Sequence, residues 1–193
     1  MENIKSIIYN VVKRVLTWFG DIMMATKPPK TKAEQILKMM EIIEPGDIIC
    51  RAYSYYLDSY FIPGVFSHSG IVIDDNKMIH SIAEGVQEIH PIDFIKDTDG
   101  FIILRPKYKD FNCWNKVIER AKWHVENKTQ YDFLFSDPDK FYCHEFTADC
   151  LSKTEIVIPI SVVTLGIWPI KFNKSIYLAE NLIYSCYTMY RFE

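Results

Sequence analysis

The chain has 193 residues, 49% apolar and 24% charged, enough for one ordinary domain and too apolar to remain unfolded. Its formal charge of −3 offers no field for gathering phosphate backbones, which sets nucleic acid aside as a partner. Five cysteines, odd in number and without a CxxC pair, exclude a secreted disulfide framework and read as thiols, most of them buried.

Residues 1–24 place Ile4, Ile7, Ile8, Val11, Val12, Val15, Phe19, Ile22 and Met23 at three- and four-residue spacing, the pattern of an amphipathic helix. Lys13 and Arg14 interrupt the apolar run before ~20 such residues accumulate, so the segment should not span a bilayer. No small-residue cleavage site follows, which argues against a signal peptide and for a cytoplasmic or phage- or virion-associated protein. The helix is expected to pack on its own domain or a partner, with membrane-surface contact through residues 1–24 as the alternative.

Residues 25–32, with two adjacent prolines and three lysines, read as a stiff, solvated linker, and residues 33–193 as the functional domain. Ala33 to Ile43 is expected to be helical and to end in the Pro45–Gly46 turn. Strands are expected to begin at Asp47, to cover Ser67 to Ile73 and Lys77 to Ile82 around an Asp74–Asn76 turn, and to recur at Gly85 to Ile89 and Gly100 to Arg105. Helices are expected over Asn112 to Asn127 and Tyr142 to Lys153, and Ser175 to Tyr190 reads as a final helix closing the core. Trp168, Tyr177 and Tyr184 are expected to pack in that core rather than line a groove. The fold class is α+β, a small antiparallel sheet with helices segregated from it.

Cys143 falls at the predicted start of a helix. Free N–H groups and the helix dipole there favour a thiolate and supply donors for an oxyanion. Cys143 also shares helical spacing with Phe146, Cys150 and Leu151, the spacing of an ordinary core stripe. His68 and His80 fall on neighbouring predicted strands. A three-residue Asp74–Asn76 loop pairs Ile73 with Lys77 and sets His80 opposite Gly70, one same-face step from His68, a diagonal of ~7–8 Å. A two- or four-residue loop would put the histidines on opposite faces. In this layout His68 takes the thiol proton and His80 orients His68.

The ordered set Pro45 to Ile49, Phe66 to Ile73, Met78 to Ile95, Tyr131 to Phe135 and Phe141 to Phe146 resembles the permuted NlpC/P60 superfamily of papain-like enzymes, and within it the YiiX/YaeF-like cysteine hydrolases. That resemblance implies a circularly permuted papain-like (NlpC/P60) fold with histidine ahead of cysteine. It implies Cys143 as nucleophile, His68 as base and His80 as third polar residue, with Glu145 and Tyr142 supporting through the Tyr-Cys-x-Glu pattern. His80 stands where YiiX-like members commonly carry Glu. The expected activity is hydrolysis of an amide, of the peptidoglycan-peptide type or related, through a thioester, with a peptide or acyl substrate and no metal or organic cofactor. The LRAT-like lipid acyltransferase branch shares the two-histidine hairpin and leaves lipid acyl chemistry as a second reading; an inactive structural module on the same fold is a third. A zinc site from Cys143, His144, His68 and His80 is set aside because closely spaced ligand pairs are lacking, and position 148 is Ala where HExxH needs His.

Overall fold

In chain order the elements are α1 (Glu2–Gly20), α2 (Ala33–Ile42), β1 (Ile48–Ala52), β2 (His68–Asp74), β3 (Lys77–Ile82), β4 (Gly85–Ile89), α3 (Pro91–Ile95), β5 (Gly100–Pro106), α4 (Phe111–Glu126), α5 (Cys143–Leu151), β6 (Ser161–Ile167), β7 (Ile170–Ile176), α6 (Ala179–Ser185) and β8 (Cys186–Phe192). This is a computed structural model, and it describes residues 2–20, 22, 27–53, 63–167 and 170–193. Six strands form one antiparallel sheet in the order β4-β3-β2-β1-β5-β8, while β6 and β7 form a separate hairpin.

Alternation along the central strands divides the apolar side chains between the two sheet faces. Ile48, Cys50, Ile71, Ile79, Ile102 and Leu104 pack with Val117, Ile118 and Ala121 of α4 and Phe146, Cys150 and Leu151 of α5. Ile49, Val72, Met78, Phe101 and Ile103 form the second cluster with Met39 of α2 and with Phe94 and Ile95 of α3. The five cysteines are free and buried.

The Pro45–Gly46–Asp47 turn locks the sheet to α2. Gly46 has φ of +88°, and a Cβ there would collide with the Trp114 ring. Asp47, almost wholly buried, accepts from Arg105 Nε and Nη2 at 2.8 Å each, and from Glu44 N–H at 2.9 Å. A bidentate guanidinium fixes direction as well as distance, so β1 and β5 are clamped where they leave the turn.

Four expectations need correction. The β2–β3 turn has two residues, Asp75 and Asn76, not three. A register shift between Val72 and Asp74 leaves Ile73 as an extra residue, so the odd count survives and Gly70 still opposes His80. The stretch expected as a last helix is instead the end of β7, the short α6 and β8, which pairs with β5. Its run Tyr187, Thr188, Met189, Tyr190 is rich in β-forming types, and a free sheet edge outweighed the local helical spacing. Thr31 is buried, not solvated as a linker residue: its N–H donates to Thr98 O at 3.1 Å and the two hydroxyls lie 3.0 Å apart. Of the C-terminal aromatics, Tyr177 packs against the core and Tyr184 is 79% exposed; Trp168, like Met23, lies outside the described residues.

Candidate active site

α5 begins at Cys143, with Tyr142 as the N-cap residue. Tyr142 carries no side-chain oxygen that can cap from that position, so the helix start is secured from elsewhere. The carboxyl of Glu145, at the third helical position, accepts from the Tyr142 N–H, half of a capping box. The Tyr142 hydroxyl accepts from Tyr177 N–H at 2.5 Å, and its ring meets Phe135 edge-on at 4.8 Å. Ser69 Oγ donates to Cys143 O at 3.2 Å, and Ser81 Oγ donates to Phe141 O at 2.6 Å. Two serines of adjacent strands thus hold the residues on either side of Tyr142.

The Cys143 sulfur meets the sheet at an opening in it. The β2–β3 ladder has its first rung at Gly70–His80, so the beginning of β2 has no rung with β3, although β3 runs on to Ile82. Cys143 Sγ donates to Ser67 O at 3.7 Å and accepts from Ser69 N–H. These two backbone groups bracket His68 on one strand edge, so the sulfur takes the ladder position that β3 vacates. On the other face, the His68 ring is 5.5 Å and the His80 ring 5.6 Å from Phe94 of α3. His68 Nε2 and His80 Nδ1 share a hydrogen bond of 3.0 Å. Arg51, the register partner of His68 across β1–β2, lays its guanidinium 4.3 Å over the same Phe94 ring and donates to Phe94 O at 2.6 Å.

Burial pushes the Cys143 thiol up to about 11, although the N–H groups of Ser69 and His144 and the Arg51 charge pull it down. The expectation of a thiol activated by its helix terminus is therefore not met in the resting site: Cys143 is only 4% exposed, and desolvation outweighs the N–H groups and the Arg51 charge. His68 is held well below 6.5, by burial first and then by Arg51 and His80, and His80 falls to about 3 by burial and Arg51. In the resting site the Cys143 thiol and the His68 imidazole are both neutral. Glu145 is raised to about 7, by burial first and then by the Asp132 carboxylate.

His144 sets its Nδ1 2.9 Å from Ser69 Oγ. Among the described residues, one group brings three metal-type ligand atoms within 4.8 Å of one another: His124, Asp149 and Cys150. Both His124 nitrogens are engaged there, Nδ1 with Thr129 Oγ1 at 3.0 Å and Nε2 with Asp149 Oδ2 at 2.9 Å. The Arg120 guanidinium donates to the same carboxylate oxygen at 2.6 Å. A cation would have to sit against that guanidinium, so the group does not fit a metal and reads as a polar tie between α4 and α5. Sequence spacing could not find it, because Arg120 and Thr129 carry no motif of their own.

A thiol at a helix start, set against an antiparallel sheet that presents paired histidines, is an arrangement compatible with a papain-like cysteine hydrolase. The family model of permuted papain-like amidases, YaeF/YiiX type, matches residues 42–167, and the chain belongs to that family. Among solved structures it is similar to the metalloprotein YiiX of Escherichia coli O157:H7, with a TM-score of 0.62 and 15% identity over 78% of this chain and 98% of that one. That likeness speaks for the fold alone. No curated protein matches the sequence.

Proposed function

We propose that the protein hydrolyses an amide bond of a peptide, of the peptidoglycan type or related, with Cys143 as nucleophile, His68 as general base and His80 as the residue that orients His68. The observation that carries this is the placement of Cys143 Sγ on the backbone either side of His68, whose ring is bound to His80 at 3.0 Å. With His80 Nδ1 accepting from His68 Nε2–H, His68 Nδ1 is left as the basic nitrogen. The thiol turns from Ser67 O to that nitrogen as a substrate carbonyl arrives. The sulfur–carbon bond forms while the proton passes to His68. The tetrahedral oxyanion is met by N–H groups at the start of α5. Collapse breaks the carbon–nitrogen bond, and His68 returns the proton to the leaving amine. Water then attacks the thioester by the same route in reverse, releasing a carboxylate and restoring the thiol.

The test is mass spectrometry of peptide and peptidoglycan-fragment panels after incubation with the protein. New amine and carboxylate ends are expected, together with a thioester adduct on Cys143 at early times. Cys143→Ala and His68→Ala should both abolish cleavage in folded proteins. Cleavage that survives Cys143→Ala would remove the assignment.

A further inference from the structure

α1 meets the rest of the chain with the wrong side for a core helix. One contact is made by Tyr9, whose hydroxyl donates to Tyr131 O at 3.1 Å and whose ring stacks edge-on with Phe133 at 6.0 Å, under the Lys140 ammonium at 4.0 Å. The apolar stripe points elsewhere: Ile7 is 57% exposed, Ile8 55%, Val11 55%, Val15 56% and Trp18 66%. A helix that packs on its own domain hides such a stripe. Here the stripe is left uncovered by the described residues.

We infer that this stripe is a membrane-docking face, lying in the headgroup region of an anionic lipid surface. Charge argues for lipid. Between residues 2 and 20 the helix carries Lys5, Lys13 and Arg14 against the single acid Glu2, a local excess of base in a chain whose formal charge is −3. Lys13 and Arg14 follow directly on the apolar positions Val11 and Val12, where long basic side chains reach headgroup phosphates while the stripe sinks between them. Trp18 adds an indole, a residue type suited to that boundary. The residues at 8, 11, 15 and 18 also have the spacing of a coiled-coil seam. Exposed Ile7 beside that seam makes the face broader than a two-helix contact, however, and 19 residues hold fewer than three heptads. The inference does not rest on the hydrolase reading.

The experiment is co-sedimentation of the full chain with phosphatidylcholine vesicles and with mixed phosphatidylcholine–phosphatidylglycerol vesicles, alongside sedimentation velocity without lipid. The wild-type chain is expected to partition onto the mixed vesicles, more weakly onto neutral ones, and less as salt rises. Val11→Asp/Val15→Asp should lower partitioning about 100-fold, and Lys13→Gln/Arg14→Gln about 10- to 30-fold on the mixed vesicles alone. The double variants alter exposed positions apart from half-buried Lys13, and unchanged near-ultraviolet circular dichroism and unchanged Cys143 alkylation would show that the body is intact. Absence of binding to the mixed vesicles overturns the inference. So does a concentration-dependent dimer that Val11→Asp/Val15→Asp abolishes, since a second copy would then own the face.

Discussion

His68 Nε2 and His80 Nδ1 lie 3.0 Å apart because Gly70, between them in the register, is directly opposite His80. A Cβ at Gly70 would come within 3.0 Å of Ile79 O and 3.2 Å of His80 Cβ, so the glycine lets the two strands close tightly where the rings meet. The pairing gives His80 a testable part. His80→Leu removes the acceptor and leaves a buried His68 N–H unsatisfied, so kcat should fall about 100-fold or more. His80→Gln keeps an acceptor and should lose less. His80→Glu places a carboxylate beside His68, which favours the imidazolium; the acid limb of the kcat/KM profile should then move to higher pH than in the wild type. A pH–rate profile of the three variants checks all of this, and an unmoved acid limb in His80→Glu would deny His80 its orienting role.

The thiol held up at about 11 dictates how Cys143 reacts in the free protein. Its iodoacetamide rate should climb about tenfold per pH unit from 7 to 10, with no plateau near neutrality. Because the Arg51 charge pulls that thiol down, Arg51→Gln should slow alkylation across the same range. The base behaves oppositely. His68 is depressed well below 6.5, so it stays unprotonated and competent in mild acid, and the acid limb of kcat/KM should lie below pH 6.5.

Acid should also unfold the protein through its buried rings. His80 at about 3 and His144 at about 4 stay neutral in the fold, whereas in the unfolded chain they protonate near 6.5. Their contribution is complete above pH 6.5. It is lost as pH falls toward 4 and then 3, at about 1.4 kcal/mol per pH unit for each ring. Glu145 works against this: raised to about 7, it binds its proton in the fold before the unfolded chain does, so it gains stability between pH 7 and about 4.5. Urea midpoints should therefore fall from pH 7 to 5, and fall further in Glu145→Gln, where the offset is gone. A flat profile would contradict the neutral state of the buried histidines.

Glu145 also has a mechanical part to test. Its carboxyl holds the Tyr142 N–H, and Oε2 is buried without a partner. Glu145→Ala should cost about 1 kcal/mol in urea melts and lower kcat, since the start of α5 and Cys143 with it lose their tether. Glu145→Gln retains an acceptor and should restore most of the activity near neutral pH. Equal loss in both variants would point to the carboxyl's charge instead.

Much of the site was legible because its parts are local. β3 and β4 were bounded correctly from alternation and turn residues, and the Gly70–His80 register followed from an odd number of residues between the paired strands. The way that odd number arises was not legible: a two-residue turn with a bulge and a three-residue loop leave the same parity in the sequence. The thiol's position at the helix start was readable, but its resting pKa was not, since desolvation depends on how completely β2, β3 and α5 close around the sulfur. β8 was missed because its partner β5 lies some eighty residues earlier, so the β-forming types in Cys186–Phe192 were outweighed by the helical spacing read from Ser175 onward. The expectation for α1 held as to helix and amphipathicity; the direction of its apolar side depends on Tyr9 meeting Phe133, a contact no periodicity encodes.

The histidine pair is made within a single hairpin, twelve residues apart, whereas the thiol joins it from seventy-five residues downstream of His68. Under the proposed mechanism, a nascent chain would assemble the base from nearest neighbours long before the nucleophile exists, and reactivity would wait for the long-range packing of α5 on the sheet. On that reading, completing the fold would switch the chemistry on, and a half-made chain would be spared from attacking its surroundings.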